Sequence, residues 1–333
     1  MITILKPGLL TTIQDLGRFG FQKYGVVTSG AMDQLAFRIA NLLVGNQENQ
    51  AGMEITLIGP IVRFETDLLI SICGADITPM INGDKVRLFR PIFVKKGSIL
   101  AFGTAQNGCR AYLAVAGGIN VPFVMNSSST YLRAKIGGFH GRKLKSGDRL
   151  LLQSPSAAAR KMISKFTEKT PSNQFTEMNW FVDSGLFPKY KNNRIVRVIT
   201  GREFDLFSKE SQRKIFQESY VVTSKSDRMG YRLLGSPLFL EKKFEMLSEA
   251  VSFGTIQVPA DGNPIVLLAD RQTTGGYPRI AQIITVDFPV VAQAKPGDFL
   301  SFVRISHEEA QMLYIEREHE IKRLKKAIEL KYY

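Results

Sequence analysis

Three stretches of the 333-residue chain set an aspartate close to an arginine, with glycines nearby. They are Asp15 and Arg18 in TTIQDLGRFG (11–20), Asp227 and Arg228 in SKSDRMGYRLLG (224–235), and Asp270 and Arg271 in ADRQTTGGYPRIAQ (269–282). A fourth polar stretch, TSGAMDQ (28–34), carries Ser29 and Asp33. Arginine offers a planar fork for a carboxylate, and a charge-assisted bond of that kind is worth ~1.5–3 kcal/mol. Glycine lets backbone N–H groups come close to a ligand, and Thr, Gln and Tyr can orient a small polar molecule. Taken singly, each stretch reads equally as a surface turn with an Asp cap and a solvated Arg, worth ~0–1 kcal/mol. Together they point to a ligand, because the stretch at 269–282 is longer and richer in donors than a connector of about two to five residues requires.

Other chemistries fit poorly. His140, His307 and His319 are scattered, two of them in a charged C-terminal segment, which argues against a metal site or a Ser-His-Asp triad. Cys73 and Cys109 sit in apolar runs and read as buried thiols. No G-x-x-x-x-G-K-[ST] phosphate loop, no G-x-G-x-x-G after a strand and no Ala-Met-Lys-Met biotin-attachment sequence occurs. ATP or a biotin carrier, if the reaction needs either, is therefore expected on another chain. Lys and Arg number 44 against 30 Asp and Glu, giving +14. The basic residues are dispersed rather than gathered on an aromatic-studded helix, so nucleic acid is not expected, and an acidic protein partner is the other reading of the charge. No run approaches the ~18 apolar residues of a membrane span. The start, MITILKPGLLTTIQDLG, lacks the features of a signal peptide, so a cytoplasmic protein is expected.

The elements that must position these residues are mostly short strands rich in Val, Ile, Leu and Phe, such as LLISICG, RAYLAVAGG and RIVRVITG. They do not alternate with helices, which favours barrels or sandwiches over a doubly wound sheet. One unit recurs as KKGSILAF (95–102), KSGDRLLL (145–152) and KPGDFLSF (295–302), a glycine turn feeding a strand. It suggests two halves of related design, although a barrel protein reusing its turn chemistry would read alike. Helical periods appear at 31–44, stopped by Gly45-Asn46, at 208–219, and from Ser306, where Ser306 and Glu309 fit a capping box. Met32 and Leu35 lie on the apolar face of the first helix, and Asp33 suits its first turn. These signals divide the chain into a domain at 1–155, a linker at 156–193 with some helix near 157–167, a domain at 194–305 and a charged helix at 306–333.

At GLLTTIQDLGRFGFQKYGVVTSGAMDQLAFRIANLLVGN, MEITLIGP, SDRMGYRL, GTIQVPADGNPIVLLADRQTTGGYPRIAQI and AQAKPGDFL the chain resembles the family of the 5-oxoprolinase C subunit. That family is also called the biotin-dependent carboxyltransferase or allophanate hydrolase subunit 2 family, and it includes KipA-like proteins. The resemblance implies a mainly β fold with a few helices, arranged as two cyclophilin-like β-barrel domains. It implies an ATP-dependent cyclic amide hydrolase, a 5-oxoprolinase, that converts 5-oxoproline (pyroglutamate) to glutamate. This chain would act there together with the KipI-like 5-oxoprolinase B subunit and the separate A subunit, and would be inactive alone. ATP is then used by the complex and can be bound elsewhere than on this chain. Two alternatives stay open: a KipA-like regulator that binds a kinase inhibitor, and a carboxyltransferase acting on urea or an amide, the one case that would involve biotin. In such a site a small anionic substrate would meet Asp270, Arg271, Gln272, Thr273, Gly275, Gly276 and Tyr277 on one wall, with Arg228, Met229 and Tyr231 near it. Gln14, Asp15, Arg18, Ser29 and Asp33 would form a second wall or a partner contact. The roles expected are Arg271 or Arg228 on a carboxylate, Asp270 as orienter or base, and Tyr277 as donor, with no metal.

Overall fold

The computed structural model describes residues 1–169, 174–188 and 193–332. Residues 170–173 and 189–192 of the stretch read as linker, and residue 333 of the terminal helix, lie outside the described residues. The chain divides into two compact units: Met1–Arg18, Ser29–Phe187 and Glu320–Tyr333 form the first, and Phe19–Thr28 and Pro188–His319 the second.

The first unit stacks two antiparallel sheets of six strands over one core. One sheet runs in the order 149–150, 2–6, 61–64, 99–101, 80–81, 84–85, and the other 175–177, 91–94, 68–76, 107–115, 52–56, 10–14. The strand Leu68–Asp76 shows how the pattern works, since all its residues but the last are buried. Leu68, Ile70 and Ile72 enter the core between the sheets. Leu69 and Cys73 face the other way, into a second cluster built on the helix α1 (Gln34–Leu43). Period two delivers both faces, and full burial of one such side chain is worth ~1.5–3 kcal/mol. Cys73 and Cys109 are buried and form no disulfide among the described residues, and burial pushes the Cys73 thiol well above its ordinary range.

The helix α1 begins where Asp33 Oδ1 accepts the N–H of Ala36 at 3.0 Å, and Gly45, at φ +73°, follows its end. The helix α2 (Ala157–Lys169) falls in the stretch read as linker, and its Ala159, Met162 and Phe166 are buried in the cluster that holds α1. Helix α3 spans Lys209–Gln217, α4 Phe288–Ala292 and α5 His307–Tyr332. Ser306 Oγ accepts the N–H of Glu309 at 3.0 Å, which caps α5. Ile321, Ile328 and Tyr332, near its end, are buried in the first unit. None of the described helices is long and apolar enough to cross a membrane.

The second unit is a closed barrel of seven strands, in the order 193–200, 279–283, 255–257, 265–267, 230–234, 219–222, 299–304. An odd number of strands cannot alternate direction all the way round, so one neighbouring pair must be parallel. That pair is Asn193–Thr200 with Phe299–Arg304. The mainly β class with a few helices holds throughout.

The recurring turn is a structural unit as well as a sequence one. Gly97, Gly147 and Gly297 have φ of +88°, +88° and +92°, in the left-handed region that glycine reaches at no steric cost. Asp148 and Asp298 each accept the N–H of the lysine three residues back, at 2.7 and 3.1 Å, and each also pairs with an arginine. The Arg194–Asp298 pair is buried at 2.9 Å. Removing one partner of a buried pair strands a desolvated charge. Asp298→Ala is therefore expected to cost about 3–5 kcal/mol in denaturant unfolding, whereas Glu210→Ala, which breaks an exposed pair with Lys214 on α3, leaves the midpoint unchanged within error.

Candidate functional site

In the second unit the ladder between 230–234 and 265–267 continues past both strand ends. Leu268 N–H donates to Met229 O at 3.0 Å and Asp270 N–H to Arg228 O at 2.8 Å. This continuation brings together two polar stretches 42 residues apart. Arg228 grips Asp270 with both ends of its fork, Nε to Oδ2 at 2.9 Å and Nη2 to Oδ1 at 3.1 Å. Both residues are buried, so this pair fixes the loop and both carboxylate oxygens of Asp270 are engaged.

The next residue is set differently. Arg271 is 9% exposed, and among the described residues its guanidinium donates only to main-chain carbonyls, Nε to Val251 O at 3.3 Å and Nη1 to Leu268 O at 3.2 Å. No carboxylate faces it among the described residues, and burial alone lowers its pKa to about 10. A buried cation without a counter-ion is costly, and the cost is relieved by a bound anion.

The loop then folds back. Gly275 pairs with Glu249 and Thr274 with Ala250, making a two-stranded arm whose next bond is Val251 N–H to Thr273 O at 3.2 Å. Gly275 is half-buried, Gly276 is exposed, and a Cβ on Gly276 would meet Ser248 Oγ at 3.2 Å. Gln272 and Tyr277 are exposed and Thr273 is half-buried. Met229 is half-buried, while Tyr231 is buried with its hydroxyl donating to Ala294 O at 2.9 Å, which turns it toward the end of α4. The length of 269–282 thus has two causes: the charged pair at its start, and the arm that follows.

Beside the arm opens a cleft of about 340 Å³ lined by Thr200, Arg202, Val251, Ser252, Arg279 and Gln282, among others. Arg279 is held by Glu203 (Nη2 to Oε1, 2.7 Å) and by Glu249 (2.7 Å). Ser252 and Thr255 hydroxyls both donate to Gln282 Oε1, at 2.9 and 2.8 Å. Arg279, Ser252, Thr255 and Gln282 thus answer one another, whereas Arg271, outside this lining, is buried and meets only carbonyls among the described residues. Local patterning does not single out Glu203, Gln257, Arg279 or Gln282. The last two lie within the stretch 269–282, but nothing in local spacing tells a glutamate 76 residues away that it will meet Arg279.

In the first unit the stretch at 11–20 works as a staple. Asp15 Oδ1 accepts Gly17 N–H at 2.8 Å and the hydroxyls of Ser127, at 2.7 Å, and Ser129, while Oδ2 accepts Ser128 N–H at 2.5 Å. Arg18, fully buried, donates to Val124 O at 3.0 Å and Ser129 O at 2.9 Å. Asp15 and Arg18 therefore each hold the loop 124–130, a Ser-rich segment that motif reading misses although its density of hydroxyls signals it. Gln14 Nε2 donates to Thr130 O at 3.2 Å, and its buried Oε1 has no donor among the described residues. Ser29 stands at φ +55° with its hydroxyl buried and without a partner among the described residues. Asp33 caps α1, and its N–H donates to Tyr112 OH at 2.7 Å.

Two outcomes follow from the second unit's charges. Arg271→Met removes an uncompensated buried cation, so thermal unfolding is expected at or above the wild-type temperature, by up to ~2 kcal/mol; a fall of similar size would mean that the guanidinium is already neutralised. Burial works to raise the carboxyl of Glu203, but the Arg279 bonds outweigh it and leave it below the ordinary range. A carboxyl with a depressed folded-state value contributes stability above its unfolded value and loses it as pH falls through the folded one. Wild-type stability should decline on acidification below about pH 4.3, and Glu203→Gln, less stable at neutral pH, should lack that component of the decline when unfolding is followed against pH.

Comparison with known proteins gives these features a family. Residues 24–304 match the family model described as carboxyltransferase domain, subdomain A and B. The 5-oxoprolinase C subunit of Haemophilus influenzae is 36% identical, over 99% of this chain and 100% of its own length. That of Escherichia coli is 41% identical, over 93% of each chain. Among solved structures, the urea amidolyase of K. lactis superposes with a TM-score of 0.86 at 31% identity, over 96% of this chain and 20% of that one. The chain belongs to the carboxyltransferase domain family, subdomain A and B.

Proposed function

We propose that this chain is the C subunit of an ATP-dependent 5-oxoprolinase, opening 5-oxoproline to glutamate together with the A and B subunits in the cytoplasm. The observation that carries the reading is end-to-end similarity to two proteins named as that C subunit, at 36% and 41% identity. The urea amidolyase alternative fits less well, because this chain spans 20% of that protein and holds no biotin-attachment sequence.

The chemistry suits the site. An amide carbonyl is too unreactive for water unaided; in the overall reaction the ring C–N bond breaks, oxygen from water ends on the carbonyl carbon, and the nitrogen takes a proton. ATP hydrolysis supplies the free energy for that step. Among the described residues, Arg271 is a lone guanidinium rather than a phosphate cradle, so we assign ATP to one of the other two proteins. The work left to this chain is to hold the substrate. Arg271 takes the carboxylate in a fork geometry, in a buried setting where such a bond is strong. Asp270 keeps Arg228 and the loop in place, and Tyr277, exposed on the arm, is a donor within the same loop.

The direct assay is ATP-dependent glutamate release from 5-oxoproline by this chain with its A and B partners. Omitting the chain is expected to abolish release, and Arg271→Met to reduce it at least a hundredfold while the complex still assembles on size exclusion. Release that persists without the chain would leave the binding-only regulator as the better reading.

A further inference from the structure

In the first unit, residues 131–149 carry six arginines and lysines against one acid, Asp148. Arg142 takes both oxygens of that acid, at 2.7 and 2.8 Å, and the N–H of Lys145 donates to it as well. The remaining cations are left over. Arg133, Lys135, Lys143 and Lys145 are exposed, and no acid answers their side chains among the described residues. A surface of one sign draws acidic partners and speeds their encounter.

This segment is held to a shape, unlike a loose run of lysines. Tyr131 bridges to Ile136, Leu144 N–H donates to Thr11 O at 2.9 Å, and Gly138 N–H to Ser128 O at 3.0 Å. Ser128 belongs to the loop 124–130 that Asp15 and Arg18 secure. The packing is close: a Cβ on Gly137 would collide with Ser129 O, and one on Gly138 with the Thr130 hydroxyl. Met125, Asn126, Lys135 and His140 stand at φ of +50°, +58°, +56° and +57°, a region that side chains other than Asn rarely adopt. Such backbone persists only where its surroundings over-determine it, and it gathers at functional sites. The buried staple is what fixes this exposed surface. Beside it in sequence, Phe123 is 67% and Met125 41% exposed. Aromatic residues and Met are enriched where proteins meet. A preformed surface with apolar anchors suits a folded protein face, whereas mobile lysines would serve a polyanion or a membrane equally well.

We propose that residues 123–145 form a docking surface for an acidic face on one of the two partner proteins. Arg133, Lys135, Lys143 and Lys145 supply the attraction, and Phe123 supplies an apolar anchor. The proposal rests on the reading given under the proposed function, and it names where that assembly joins this chain.

The test is calorimetric titration of the whole chain with the A and B proteins separately, at ~0.05 M and ~0.5 M salt. Wild type is expected to bind one of them, more weakly at the higher salt. Arg133→Glu/Lys143→Glu should lower that affinity about tenfold or more at low salt, with the gap narrowing at high salt. Lys225→Glu/Lys242→Glu, an equal change in net charge at exposed positions of the second unit, should stay within about twofold of wild type. Phe123→Ser should weaken binding about threefold or more at both salts. All these side chains are exposed, so each variant should unfold with wild type. Binding of neither protein by wild type, wild-type affinity in Arg133→Glu/Lys143→Glu, or equal losses in the two double variants would each overturn the proposal. It also falls if Arg133→Glu/Lys143→Glu loses binding to heparin or to phosphatidylserine vesicles while keeping the partner protein. Turnover by the three-protein assembly separates the two ideas. Turnover in an assembly that Arg133→Glu/Lys143→Glu leaves intact sinks the surface alone; no turnover in an assembly that this variant dissociates sinks the oxoprolinase reading alone.

Discussion

The constraint on which the rest depends is the buried guanidinium of Arg271, answered among the described residues only by two carbonyl oxygens. Around it in the second unit, other buried or half-buried arginines face acids. Arg194 meets Asp298, Arg228 meets Asp270, and Arg279 meets Glu203. Against that background, an arginine that no acid faces among the described residues is where the proposed ligand would complete the electrostatics. The neighbouring architecture supports this: the Arg228–Asp270 pair pins one end of the loop and the arm at 249–250 and 274–275 pins the other, so the guanidinium is held in place before a ligand arrives.

The buried pairs also explain how one barrel can be both closed and functional. Its seven strands need one parallel junction, between 193–200 and 299–304, and the Arg194–Asp298 pair sits at the start of that junction, on the turn that feeds the last strand. A binding protein that kept every charge satisfied would have less to gain from an anion.

Much of this was legible in the sequence. The strand-rich character, the three glycine turns and the helices at α1, α3 and α5 follow from local patterning, because periodicity and turn chemistry are local properties. Asp33 as a cap and both cysteines as buried thiols were legible for the same reason. What could not be read was who partners whom. Asp15 and Arg18 look like a pair yet each secures the loop 124–130, and Arg228 and Asp270, in separate motifs, turn out to satisfy each other.

The account is tested most directly by a crystal structure of the chain with 5-oxoproline bound. It predicts the ligand carboxylate on the Arg271 guanidinium at the ~2.7–2.9 Å of a charge-assisted bond. A ligand seated elsewhere, with Arg271 still facing only the Val251 and Leu268 carbonyls, would contradict it.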